Sequence, residues 1–155
     1  MSHTVNLMLK FDDLVEKYDE VLKYACKHSD SFSVISRMRK PYSKTLPRYE
    51  CQEAMEPLQP YFIRYVPEIK KWPGTESKEK HVIMILFRSC KECRIVMQGM
   101  PNFLTSDELP EDLTFYRGEK PWLVTIPHEQ MSYMIDVTEE DIEFVKSIGM
   151  TILRT

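Results

Sequence analysis

The sequence predicts a single α+β domain over residues 1–155, with a mixed or mainly antiparallel sheet packed against two or three helices. Three observations lead there. The segment FDDLVEKYDEVLKYACKHS repeats apolar residues at three- and four-residue steps, the mark of an amphipathic helix. HVIMILF is an apolar run of strand length, rich in β-branched residues and suited to the middle of a sheet. LTFYRGEKPWLVTIPHEQMSYMIDV alternates apolar and polar residues around two turn-forming tetrapeptides, RGEK and PHEQ, and reads as three successive strands. A chain of 155 residues can bury a core without cross-links, and 43% hydrophobic with 29% charged residues is ordinary for a globular protein.

In chain order, the first helix is expected over 12–27. Phe11, Leu14, Val15, Tyr18, Val21, Leu22 and Ala25 form its apolar stripe. Asp12 and Asp13 open it, and Lys23, Lys27 and His28 close it, each sign matching the helix dipole. SFSVISRMRK follows as a short strand stopped by Pro41. Prolines 41, 47, 57, 60, 67 and 73 punctuate the next stretch. Leu58, Phe62, Tyr65, Val66 and Ile69 nevertheless keep helical spacing, and Pro57 suits a first helical position, so a short helix is expected over about 57–66. KWPGTESKEK reads as a turn followed by a solvated connector. Strands are expected at 81–87, 113–117, 121–126 and 131–137, with Trp122, Val124 and Ile126 on one face. A short helix starts at SCKEC between the first two of them. Thr138 caps a last helix over 139–148, acidic in its first turn and stopped at Gly149, and MTILRT adds a final strand.

No apolar run approaches the roughly 18–20 residues that span a bilayer, so no membrane partner is expected. The opening MSHTVNLMLKFDDLVEKYDE lacks a secretory pattern, which points to a cytoplasmic protein whose four cysteines are reduced thiols. Charge is segregated: residues 1–104 carry 17 Lys/Arg against 13 Asp/Glu, and residues 105–155 carry 4 against 11. Such asymmetry either steers a charged partner or lets the two parts face each other across one fold.

Cys90 and Cys93 in FRSCKECRIV are the sharpest chemical feature. Ser89 and Glu92 fit a capping box, which makes Cys90 a first helical residue whose thiolate the dipole favours. Strand, Cys-x-x-Cys, helix is the local setting of thioredoxin-like redox motifs, but here the motif comes late and its helix ends by Gly99. A closed zinc site needs a second close pair of ligands, and Cys26, Cys51, His3, His28, His81 and His128 supply none. The favoured reading packs both thiols as small apolar side chains, with a redox pair or metal ligands as the alternative. Cys51 or Cys90 with His28 or His128 offers the residue types of a Cys–His hydrolase without any local signature, and four glycines leave no phosphate loop.

RMRKPYSKTLPRY gathers Arg37, Arg39, Lys40, Lys44 and Arg48 without an acid among them, interleaved with Tyr42 and Tyr49. These are groups that bind phosphates and stack on bases, yet a chain of net charge −3 lacks the broad basic character of a nucleic-acid binder. TSDELPEDL reads as an acidic loop before a strand, where a divalent-cation site is conceivable but no EF-hand spacing supports one, and His128-Glu129 as an exposed loop tip. No catalytic set, cofactor or metal emerges. The expectation is a non-enzymatic binding protein of the small regulatory or immunity type. It would recognise a protein partner through Arg37, Arg39, Lys40, Tyr42, Lys44 and Arg48, through the acidic 105–112 loop, or through both. Alternatives are a thiol-redox or zinc-stabilised domain at Cys90 and Cys93, and nucleic-acid binding by the basic 37–48 segment.

LPEDLTFYRGEKPWLVTIPHEQM, continuing through TEEDI to IGM, resembles the C-terminal part of small uncharacterised proteins of Bacillus-type bacteria. The resemblance covers about the last 45 residues. It implies a bacterial cytoplasmic setting and carries no activity, cofactor or site residue.

Overall fold

A computed structural model describes residues 4–105 and 110–155. Its centre is one eight-stranded sheet in which every neighbouring pair runs antiparallel. The strands are β1 (Leu7–Lys10), β2 (Ser31–Arg37), β3 (Phe62–Pro67), β6 (Val82–Arg88), β7 (Glu111–Arg117), β8 (Lys120–Ile126), β9 (Met131–Met134) and β10 (Ile152–Arg154). A separate hairpin pairs β4 (Lys71–Trp72) with β5 (Thr75–Glu76). Across the sheet the order is β10-β1-β9-β8-β7-β2-β6-β3. Four helices complete the fold: α1 (Phe11–Glu16), α2 (Tyr18–His28), α3 (Lys91–Gln98) and α4 (Glu139–Ser147). The α+β reading with a mainly antiparallel sheet therefore holds.

Alternation along each strand sorts the sheet into two faces. One face meets the helices: Leu22, Phe32, Ile85, Phe87, Cys93 and Trp122 belong to a single buried cluster. On the other, Ile35 and Val82 pack with Trp72 of the hairpin, flanked by Ile69 and Met84. Both faces of β2 are thus covered, which explains why five consecutive residues of this strand are buried. The hairpin turns at Gly74, where φ is +81° and a Cβ would overlap the Ile126 side chain and come within 2.9 Å of the Tyr133 hydroxyl. Only glycine meets both demands, so this residue fixes how closely the hairpin lies on β8 and β9.

Three local readings are corrected. The helix expected over 57–66 is a 3₁₀ turn, Glu56–Tyr61, leading directly into β3. Pro57 does sit at its start, but Pro60 lies inside it and supplies no N–H to prolong the ladder. Apolar spacing at Leu58, Phe62 and Tyr65 fitted a helix only because a turn and a strand happened to share it. The first helix is two segments jointed at Lys17 (φ −98°, ψ 25°). Its stripe survives because Lys17 N–H still donates to Asp13 and Val21 N–H to Lys17, both at 2.9 Å. In β8, pairing with β7 slips between Phe115–Leu123 and Tyr116–Pro121, which makes Trp122 the extra residue of a bulge. Trp122 and Leu123 then both enter the helix-side core, while Ile126 faces the hairpin, so Trp122 and Ile126 do not share a face. KWPGTESKEK, expected as a turn followed by a solvated connector, begins with the β4–β5 hairpin over 71–76, and β1, unforeseen, inserts between the last two strands.

The helix layer is bolted to the sheet by a buried carboxylate. Asp141, fully buried in the first turn of α4, accepts both terminal nitrogens of Arg117 at 2.8 Å, the Tyr24 hydroxyl at 2.6 Å and the Trp122 indole at 3.2 Å. It also closes a capping box with Thr138. The Arg117 guanidinium lies 3.8 Å from the centre of the Trp122 ring and donates through Nε to the His28 carbonyl. Burial opposes this charge, but the donors around it outweigh burial and hold the carboxyl at about 2. One residue so joins α2, the β7–β8 hairpin and α4. No helix among the described residues is long and apolar enough to cross a membrane.

Candidate functional site

The sheet's hairpin-covered face opens into a cleft of about 650 Å³. Its distinctive wall is the start of β7. Residues 111 and 112 of a regular strand would point to opposite faces. Here Asp112 adopts a left-handed backbone (φ +56°), and pairing with β2 slips between Ser33–Thr114 and Ile35–Glu111. The bulge sends both carboxylates into the cleft, where they line the same wall as His128.

Asp112 is 1% exposed. Its Oδ2 accepts the Trp72 indole N–H at 2.9 Å, which ties the hairpin to β7. Its Oδ1 has no hydrogen-bond partner among the described residues. The nearest basic atom is His128 Nδ1, 3.8 Å from that oxygen, on the 3₁₀ turn Pro127–Glu129. Burial pushes the Asp112 carboxyl up to about 6; the Trp72 hydrogen bond and His128 oppose the rise, and Glu111 and Glu129 add to it. A buried oxygen without a donor costs free energy, so the position is one where stability is given up. Glu50, Glu76 and Glu79 also line the cleft, and its one arginine, Arg37, is bonded to Glu79 at 3.1 Å. The cleft is therefore an acidic recess with one carboxylate oxygen buried and unsatisfied, suited to receiving positive charge.

The basic segment does not act as one block. Arg37 pairs with Glu79, and Arg39 holds Glu53 in a two-point bridge at 2.7 and 3.1 Å that brings the Glu53 carboxyl down to about 2. Tyr42 stacks face to face on His81, with ring centres 3.6 Å apart, and Glu68 accepts from the His81 backbone. Lys40, Lys44 and Arg48 make no ion pair among the described residues, and Leu46 between the last two is 82% exposed. Residues 106–109 of the expected acidic loop lie outside the described residues; Glu111 and Asp112 belong to β7 instead.

Cys90, not Ser89, is the N-cap of α3, and its sulfur accepts the Cys93 N–H at 3.3 Å. The Ser89 hydroxyl turns away to that of Ser29, 2.9 Å off. Cys93 is fully buried, and burial drives its thiol far above the ordinary range; burial pushes Cys26, in the facing α2, up to about 12. With a thiol reagent at mildly alkaline pH, Cys93 and Cys26 should react only as fast as the chain unfolds, well after the half-buried Cys90. Native-state modification of Cys93 as fast as Cys90 would refute this packing.

Sequence reasoning placed Asp112 only within an acidic loop and gave Trp72 no role. The residues are 40 apart and meet only through the β4–β5 hairpin and the β7 bulge, neither of which has a local signal. No protein family, curated protein or solved structure matches this chain.

Proposed function

We propose that this chain is a non-enzymatic binding protein of the small regulatory type, and that its acidic cleft takes a positively charged group from a protein partner. The observation supporting this reading is the Asp112 carboxylate: 1% exposed, with one oxygen fixed by Trp72 and the other lacking a donor among the described residues. An ammonium or guanidinium inserted there supplies the missing hydrogen bond as a charge-assisted one. Glu50, Glu76 and Glu111 surround the same recess and favour the same sign of charge.

The reading is tested by nitrogen-edited NMR with a short arginine- and lysine-containing peptide. The Trp72 indole resonance and the Glu111 and Asp112 amides should shift saturably, less so at high salt. Asp112→Asn should remove the saturable component. An unsaturable response, or one unchanged in the variant, would count against the cleft. A second reading, an acidic partner on the 40–48 loop, draws on Leu46, 82% exposed between Lys44 and Arg48. It would show as shifts confined to that loop on adding an acidic peptide.

A further inference from the structure

We infer that Glu111, Asp112 and His128 form a binding site for a divalent first-row transition-metal ion of the zinc or cobalt type. The inference rests on the cation-accepting reading of the cleft and names its ligand. One donor atom from each of the three residues lies within 4.8 Å of the others. Ligands about 2.0–2.2 Å from a tetrahedral ion sit about 3.4 Å apart, so the 3.8 Å between Asp112 Oδ1 and His128 Nδ1 closes onto an ion with little movement. The buried Oδ1 points to this role independently of the clustering, because it is left without a hydrogen-bond partner among the described residues.

The supporting contacts have the form metal ligands need. Asp112 offers one oxygen while the Trp72 indole holds the other, the arrangement by which an outer partner orients a ligating carboxylate. Trp72 is itself anchored between Ile35 and Val82, so the carboxylate is aimed by the core. Glu111 is exposed and would complete the set from the open side. An imidazole among the donors selects zinc-type ions over magnesium and calcium, which take oxygen alone. Two carboxylates and one imidazole leave coordination positions open toward the cleft, so the ion would be exchangeable and able to meet a group from a partner.

The test is titration of the metal-free full chain with Co²⁺, followed by visible absorption and by equilibrium dialysis, with Zn²⁺ as competitor. One Co²⁺ per chain should bind, with d–d bands and no sulfur-to-metal charge-transfer band, and excess Mg²⁺ should not displace it. Asp112→Asn and His128→Ala should each weaken binding at least about tenfold, while thermal denaturation checks that both remain folded. Absence of stoichiometric binding, a thiolate charge-transfer band, or affinity unchanged in both variants would overturn the site. If the basic peptide still engages the cleft while Co²⁺ does not, the metal inference alone falls; if neither binds, the cleft reading falls with it.

Discussion

Asp112→Asn should make the metal-free chain more stable at neutral pH, by about 1–3 kcal/mol, while weakening the cation binding proposed for the cleft. Asparagine keeps an oxygen for the Trp72 indole and tolerates the left-handed backbone at this position better than most residues. What it removes is a charge that the fold disfavours. The folded carboxyl titrates at about 6 against an ordinary 3.8. Its neutral form is thus the one the native state prefers. That preference contributes fully below the unfolded value, and is lost as pH rises through the folded one. At neutral pH the native protein carries the whole penalty, at most about 3 kcal/mol at about 1.4 kcal/mol per pKa unit. The advantage of the variant should therefore shrink as pH falls from 7 toward 4. Urea midpoints for both proteins across that range, with chelator present, measure it directly. Destabilisation of the variant at neutral pH would show that the ionised carboxylate is held by contacts the geometry does not contain.

A residue expected to lower stability where a near-isostere would not is what the proposed binding site would show. That feature was invisible in the sequence, for a definite reason. Local patterns reach as far as one element: HVIMILF announces β6, and Thr138 with the acids after it announces α4. They also mislead within one element, as when Leu58 and Phe62 share helical spacing across a turn and a strand. Bulges are the harder case. A single unpaired residue at Trp122 reassigns that side chain's face, and another at the start of β7 brings Glu111 and Asp112 to one wall. Nothing in PEDL signals the second. Of the cleft, His128 was legible as a loop residue, and half-exposure agrees with that, but its meeting with Asp112, 16 positions earlier, was not. The basic stretch was legible as charge, yet Glu53 and Glu79, which hold two of its arginines, lie outside it.

The larger loss is expected at the other buried aspartate. Asp141→Asn should destabilise the fold by about 3–5 kcal/mol, because it leaves Arg117 beside a neutral amide and breaks a charge pair from one side. The asparagine NH₂ would also face donors rather than acceptors, since Arg117, Tyr24, Trp122 and the Thr138 amide all donate to this carboxylate. Thr138→Ala, which removes only the hydroxyl side of the capping box, should cost about 1 kcal/mol, so the two variants separate the cap from the network. The pH dependence has the opposite sign to that of Asp112. Here the folded carboxyl titrates at about 2 against 3.8, so its contribution is present above the unfolded value and lost as pH falls toward 2. That change amounts to about 2 kcal/mol. Between pH 6 and 4 the native state should accordingly gain from Asp112, and below 4 it should lose from Asp141. Denaturation midpoints of the parent chain would then peak in mildly acidic solution. In Asp141→Asn the fall on the acid side should be shallower, and in Asp112→Asn the rise on the neutral side should flatten. An acid limb equally steep in Asp141→Asn would mean that other carboxylates govern acid unfolding and that the Arg117 bridge contributes little.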